Sequence, residues 1–190
     1  MKKLILLVFI FQTWNCPAQS IAKHEIQIGY GPLARELVFN DALGNFFRTL
    51  AHLPAKHIDF SNSYSVTYRY QPNRKVALGL TSVVATGRSY KNYLFESASH
   101  YKHTSVILAF ETKFIYVDKP LLTLYSLIGL GGLLLYEKNL DRPKTPTNIF
   151  NWPTCQLTPF GIRYGKKIGI FGELGYGYKG IINMGASLKL

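Results

Sequence analysis

Strict alternation over one segment constrains this chain more than any other feature. From Ile58 to Gln71 the even positions include Phe60, Tyr64, Val66, Tyr68 and Tyr70. The odd positions are Asp59, Ser61, Ser63, Ser65, Thr67, Arg69 and Gln71. Successive side chains of a strand point to opposite faces, so this is a strand with one large apolar face and one small polar face. The contrast recurs along the chain. Ile26, Ile28 and Tyr30 oppose Glu25, Gln27 and Gly29, and Val76, Leu78, Leu80 and Val84 oppose Ala77, Gly79 and Thr81. Val106, Leu108, Phe110, Phe114 and Tyr116 oppose Ser105, Ala109, Glu111 and Lys113. Three more such strands centre on Ile162, Ile170 and Met184. The stretch Leu121 to Tyr136 is apolar on both faces. Its length falls short of the ~20 residues of a spanning helix, and Gly129, Gly131 and Gly132 disfavour a helix there. The pattern therefore predicts eight strands and an all-β chain.

The connections alternate in character. Pro72-Asn73-Arg74, Asp118-Lys119-Pro120 and Gly165-Lys166-Lys167 are tight and polar, and the last hairpin closes near Lys179-Gly180. Between them lie longer connections, about Gly31 to His57, Gly87 to Lys102 and Lys138 to Pro153. Short turns at one end and long loops at the other is the layout of an outer-membrane barrel. The expected architecture is an eight-stranded antiparallel up-and-down transmembrane β-barrel. In the first long loop Leu33, Leu37, Leu43, Phe46, Phe47, Leu50 and Leu53 recur at helical spacing, which predicts a helical segment from about Leu33 to Leu53.

A soluble barrel would put its apolar face inside. Here the opposite face carries Ser, Thr, Gly and Ala with scattered charges, and an eight-stranded interior is just wide enough for side chains to fill. In hydrocarbon, unpaired backbone groups are costly, so the sheet must close. The small face collects Glu25, Glu111 and Glu173 against Arg69, Lys113, Arg163 and Lys189. Buried charges persist only when paired. These residues are therefore expected to form an ion-pair network that fills the lumen, with Arg163 and Glu173 a diagonal pair across one hairpin. The alternative use of the same residues is to line a narrow pore.

The start of the chain reads as a targeting segment. Lys2 and Lys3 form a basic region, Leu4 to Phe11 an apolar one, and Cys16-Pro17-Ala18 a cleavage site. Residues 1–18 are expected to be a signal peptide and 19–190 the barrel domain. Thr13, Trp14 and Asn15 fit poorly before a lipidated cysteine, so Cys16 is expected to leave with the signal. Cys155 then has no partner for a disulfide. The formal charge of +12 is more than the two signal lysines account for. An exported chain meets lipid headgroups rather than nucleic acid, so outer-membrane lipids and surface glycolipid are the expected partners. Arg88, Lys91, Lys102, Lys138, Arg142, Lys144 and Lys179 are expected to ring the outer rim at the height of glycolipid phosphates. A monomer without a cofactor is expected.

At the C-terminus Asn183, Gly185, Leu188 and Leu190 resemble the polar-x-Gly-x-x-hydrophobic-x-hydrophobic signal read by barrel-assembly machinery, although that signal usually ends in an aromatic residue. With Ala18-Gln19, "IQIGYGP" at Ile26 to Pro32 and "GELGYGYKGIINMGASLKL" at the end, the chain resembles the outer-membrane β-barrel domain families of Bacteroidetes-type bacteria, small barrels of the OmpA/OmpX kind. The resemblance implies an integral protein of a Gram-negative cell outer membrane and names no activity. His103-Thr104-Ser105 resembles the His-x-Ser pair of outer-membrane lipid A deacylases, with Val106 where that family has Asn. Alternation puts His103 and Ser105 on one face, within reach as base and nucleophile, but on the lumen side, away from lipid. No spacing among His100, His103 and Glu96 matches a zinc site, and no metal is expected. Three roles follow in order: a structural or surface-interaction barrel, a narrow pore, and a lipid A-modifying enzyme.

Overall fold

A computed structural model describes residues 24–36, 50, 61–93, 96–140 and 147–190 of the chain. They form a closed antiparallel barrel in which every strand pairs with its sequence neighbours and the last pairs with the first. The strands are β1 (His24–Ala34), β2 (Ser61–Tyr70), β3 (Val76–Tyr93), β4 (Glu96–Asp118), β5 (Leu122–Asn139), β6 (Asn148–Tyr164), β7 (Ile168–Gly177) and β8 (Ile182–Lys189). The closing seam runs from Glu25 opposite Lys189 to Tyr30 opposite Met184. Closure removes both sheet edges along that height, so no ladder group is left open to the surroundings.

The alternation decides which way each residue faces. In β2 every odd residue from Ser61 to Arg69 is buried and every even one exposed. The ambiguous stretch is resolved by register. In β5 Tyr125, Leu127, Leu133 and Leu135 turn inward, and Ile128, Leu130 and Leu134 turn outward. Near the long-connection end Leu133 and Leu135 pack with Val83, Ile107, Ala109 and Tyr178 as a small apolar core. Toward the short-turn end the interior holds most of the buried charges, with Ile115, Leu127 and Phe171 among them.

The outer face is the reverse. Between Asp118 at the short-turn end and Lys102 and Lys138 at the other, no Asp, Glu, Lys or Arg among the described side chains faces outward. Leucine, isoleucine, valine and phenylalanine occupy the middle. Tyr68, Tyr70, Tyr116 and Tyr164 gather near the short turns, and Tyr30, Tyr64, Tyr136 and Tyr176 near the other end.

Two expectations need correction. The first long connection does not begin at Gly31. β1 continues through Leu33 to Ala34 with a register shift after Gly31, and Leu33 takes a left-handed φ of 57°. Leu33 thus belongs to a strand, not to a helix. The rest of the expected helix, Leu37 to Leu53, lies outside the described residues apart from the helical Leu50. Among the described residues, the second and third long connections are largely strand. β3 and β4 stay paired out to Tyr93 opposite Glu96, and β5 and β6 out to Glu137 opposite Asn148. β2 leaves β3 at Gly87, and β7 meets β6 only from Gln156. β3 to β6 therefore stand beyond the rim as a four-stranded wall. β4 has 23 residues, against the roughly 9–11 a tilted spanning strand needs.

Candidate functional site

The site is the lumen. Glu25, Arg69, Glu111, Lys113, Arg163 and Glu173 all point inward from five different strands and all are buried. Two connected groups of ion pairs result. Near the short-turn end the Glu25 carboxylate takes Lys113 Nζ at 3.1 Å and Arg163 Nε at 3.1 Å. Deeper, Glu111 takes Arg69 at 2.8 Å and Lys179 at 2.6 Å, and both cations also approach Glu173, at 3.8 and 4.0 Å. Gln27 joins the groups: its amide nitrogen donates to Glu25 at 3.0 Å, and its oxygen accepts from Arg69.

Neutral groups add further partners, leaving Arg69 Nε and Asn183 Oδ1 buried without one. Tyr125 Oη donates to Glu173 at 2.9 Å, Asn183 Nδ2 donates to the other Glu173 oxygen at 2.8 Å, and Tyr178 Oη donates to Glu111 at 3.1 Å. Lys113 lies over the Tyr125 ring, 3.9 Å from its centroid, a favourable place for a desolvated cation. Arg163 donates to Ser187 Oγ and to the backbone carbonyls of Gly165, Lys166 and Lys167. The chain of contacts thus runs from the β6–β7 turn up to Lys179 and Gln156. Four cations share three carboxylates. Each charge is worth its desolvation only because several partners surround it, and truncating any partner should be costly.

Lys179 corrects the expected rim. It is not exposed but 1% accessible and ion-paired in the lumen. The reason is the turn Gly177-Tyr178-Lys179-Gly180, which folds inward instead of outward. Gly177 and Gly180 have φ of +143° and +98°, and a Cβ on either would lie within 2.4 Å of a backbone oxygen. Only glycine fits both demands. Backbone bonds then tie the turn to the end of β1, Arg35 N to Gly177 O at 2.8 Å and Ile181 N to Leu33 O at 3.3 Å.

The expected pairing of Arg163 with Glu173 is also overturned. β6 and β7 align Gly161 with Glu173 and Arg163 with Phe171. Glu173 rises toward Tyr125 and Asn183, whereas Arg163 reaches down to Glu25 and the turn. Gly161 makes this layout feasible, because the Tyr125 ring lies where its Cβ would be, 2.4 Å from Cε2. Lys189 faces Glu25 across the seam but is half-buried at the barrel end and outside the ion-pair groups. Tyr125, Tyr178, Gln27 and Gln156 were not foreseen. The inward parity of Tyr125 and the glycines bracketing Tyr178-Lys179 are the signals that point to two of them.

His103 and Ser105 both face the lumen and are buried. His103 Nε2 lies 2.7 Å from Ser61 Oγ, and Ser105 Oγ donates weakly to Ala85 O at 3.5 Å. The expected base–nucleophile pair is thus not a hydrogen-bonded pair, and it faces away from the apolar belt. Of the remaining rim residues, Lys102 and Lys138 are exposed and face each other across β4 and β5, and Arg88 stands opposite Lys102 in the register. Lys91 is opposite Ser99, and Arg142 and Lys144 lie outside the described residues. In β8 Asn183 faces inward, with Gly185 and Leu188 half-buried, and Leu190, just past the strand, is exposed. Among the described residues no group of His, Cys, Asp and Glu could hold a metal ion.

Fold and site together define a small closed barrel with a filled, ion-paired interior and an apolar exterior. No family model matches the chain, and no curated protein matches it. Solved structures of Ail, the attachment invasion locus protein of Yersinia pestis, are similar in outline. One shares 13% identity at a TM-score of 0.45, over 88% of this chain and 95% of Ail. Another, Ail in complex with the heparin analogue sucrose octasulfate, shares 12% at a TM-score of 0.41, over 87% and 95%. The architecture rests here on the strand pairing itself.

Proposed function

We propose that the chain is an integral outer-membrane barrel whose lumen is sealed and whose role is interaction at the cell surface. The observation that carries this reading is the connected ion-pair and hydrogen-bond system across the interior, read beside the uncharged outer belt. A belt in which no described side chain is Asp, Glu, Lys or Arg suits hydrocarbon, and tyrosines at both ends suit the two interfaces. The charged groups of the interior are paired there, away from hydrocarbon, although Arg69 Nε, Gln71 Nε2 and Asn183 Oδ1 have no hydrogen-bond partner. The short turns then face the periplasm and the wall of β3 to β6 faces outward, with residues 1–18 removed on export and Asn183, Gly185, Leu188 and Leu190 read during assembly. The wall is the part offered to other molecules. Surface glycolipid is the partner we assign to its base, where Arg88, Lys102 and Lys138 share one row. Like charges directly opposite each other are destabilising, and a lipid phosphate between them relieves this.

The test has two arms. Unboiled and boiled samples of the purified mature chain should migrate differently on a detergent gel. In planar bilayers the folded form should give no steady channels. Reproducible unitary conductance would overturn the sealed lumen and favour a narrow pore.

A further inference from the structure

The short-turn end carries a second basic surface. All three short turns are basic: Arg74 and Lys75 between β2 and β3, Lys119 between β4 and β5, and Lys166 and Lys167 between β6 and β7. Every one of these residues is exposed, and Asp118 is the one acid in the same turns. The backbones of the turns that carry them are hydrogen-bonded. Asn73 Oδ1 accepts from Lys75 N at 2.9 Å and Val76 N at 2.8 Å. Lys119 and Leu122 exchange backbone bonds at 2.8 and 3.2 Å. The buried Arg163 guanidinium grips the carbonyls of Lys166 and Lys167 at 3.0 and 3.2 Å, and Lys189 N donates to Lys167 O at 2.8 Å. The exposed lysines are thus carried on hydrogen-bonded turns at three points around one mouth.

Their height follows from the tyrosines. Tyr116 precedes Lys119 by three residues, and Tyr164 precedes Lys166 by two, while Lys75 adjoins the first residue of β3. Aromatic side chains of such a girdle sit where hydrocarbon meets headgroups. A strand advances about 3.3 Å per residue along its own axis and less along the membrane normal when tilted. Two or three residues therefore climb roughly 5–8 Å, and the headgroup layer on each side is itself roughly 5–7 Å deep. On the membrane-barrel reading the turn backbones come level with the headgroup layer, which brings the phosphates within reach of flexible lysine side chains.

We infer that the three short turns form a binding crown for anionic phospholipid headgroups of the adjoining leaflet. This rests on the membrane-barrel reading and concerns the opposite end from the glycolipid row. The ligand is a phosphodiester without a compensating amine, of the phosphatidylglycerol type. Zwitterionic headgroups carry their own ammonium and gain little from the crown.

The test is spin-label resonance of the full mature chain in phosphatidylcholine vesicles, with trace spin-labelled phosphatidylglycerol or phosphatidylcholine. The wild type should immobilise phosphatidylglycerol in preference by about fivefold or more, the effect of about 1 kcal/mol from one cation near an anionic surface. Each comparison is also made in a Lys102→Gln, Lys138→Gln background, which removes the glycolipid row's own contribution to the preference. In that background Lys75→Gln with Lys119→Gln, Lys166→Gln and Lys167→Gln should bring the two lipids to near parity. Equal immobilisation in the wild type, or a preference in that background that the fourfold change leaves unaltered, would overturn the proposal. Gel heat-modifiability checks that each variant is folded. If the fourfold variant is not, Lys166→Gln with Lys167→Gln takes its place and should lose part of the preference; no change there would sink the proposal. Failure of the barrel reading looks different, because neither lipid is then immobilised.

Discussion

Glu25 is the most exposed point of the energetics, because one carboxylate serves two buried cations. Glu25→Gln leaves the shape and removes the charge. Breaking a buried ion pair costs about 3–5 kcal/mol, since it strands the partner. The two cations do not suffer equally. Arg163 keeps Ser187 Oγ and three turn carbonyls. Lys113 keeps the Tyr125 ring at 3.9 Å, which offsets up to about 2 kcal/mol. The expected loss is therefore near the low end, about 3 kcal/mol, and most of it arises at Lys113. Adding Lys113→Met should return half or more of the loss, and adding Arg163→Met should return less. Denaturant titration of the four proteins in detergent gives each stability from its midpoint and slope. Additivity of Glu25→Gln and Lys113→Met to within about 0.5 kcal/mol would mean that the two are uncoupled. The charges would then be solvated, and the sealed lumen would be wrong.

The other predictions use the same kind of measurement. Glu173→Gln and Arg163→Met should be additive to within about 0.5 kcal/mol, since the two side chains belong to different groups; a large coupling would restore the pairing expected from the hairpin. Leu108→Arg or Leu174→Arg on the outer face should cost about 2–4 kcal/mol in lipid, and a negligible cost would deny these positions to hydrocarbon. Gly161→Val should destabilise by about 1–3 kcal/mol by displacing Tyr125, whereas Gly172→Ala, with its nearest atom 3.8 Å from the added Cβ, should be near neutral. Ser105→Ala and Ser61→Ala should leave lipid A acylation in cells unchanged, and a change with either would reopen the enzyme reading.

Alternation made the wall of the barrel legible. A period of two is the local signature of a half-buried strand, and it needs no knowledge of partners. It also placed Glu25, Arg69, Glu111, Lys113, Arg163 and Glu173 on one surface. Their pairing was not legible, because the partners meet across the lumen and not along a hairpin: Glu25 of β1 meets Lys113 of β4 and Arg163 of β6. The strand ends were lost for another reason. Beyond the rim both faces of β3 and β4 are polar, so the contrast that reveals a strand fades although the pairing continues. Lys179 was misplaced because a basic residue in a turn is ordinarily solvated. Its inward course depends on the backbone of Gly177 and Gly180, which composition does not register.

The inverted turn has a consequence for time as well as for stability. Lys179 binds Glu111 of β4 and Glu173 of β7, its backbone nitrogen takes Gln156 of β6 at 2.8 Å, and its neighbours hold β1. No two adjacent strands can supply that set, so the turn can seat itself only after β8 has found β1. Contacts made after the rate-limiting step slow departure from the native state and leave arrival unchanged. Gly177 to Gly180 is thus a latch thrown last, and the lifetime of the closed barrel is set by how often it lifts. Lys179→Met should accelerate unfolding while refolding keeps its rate; a variant that refolds slowly and unfolds normally would place the turn early in assembly instead.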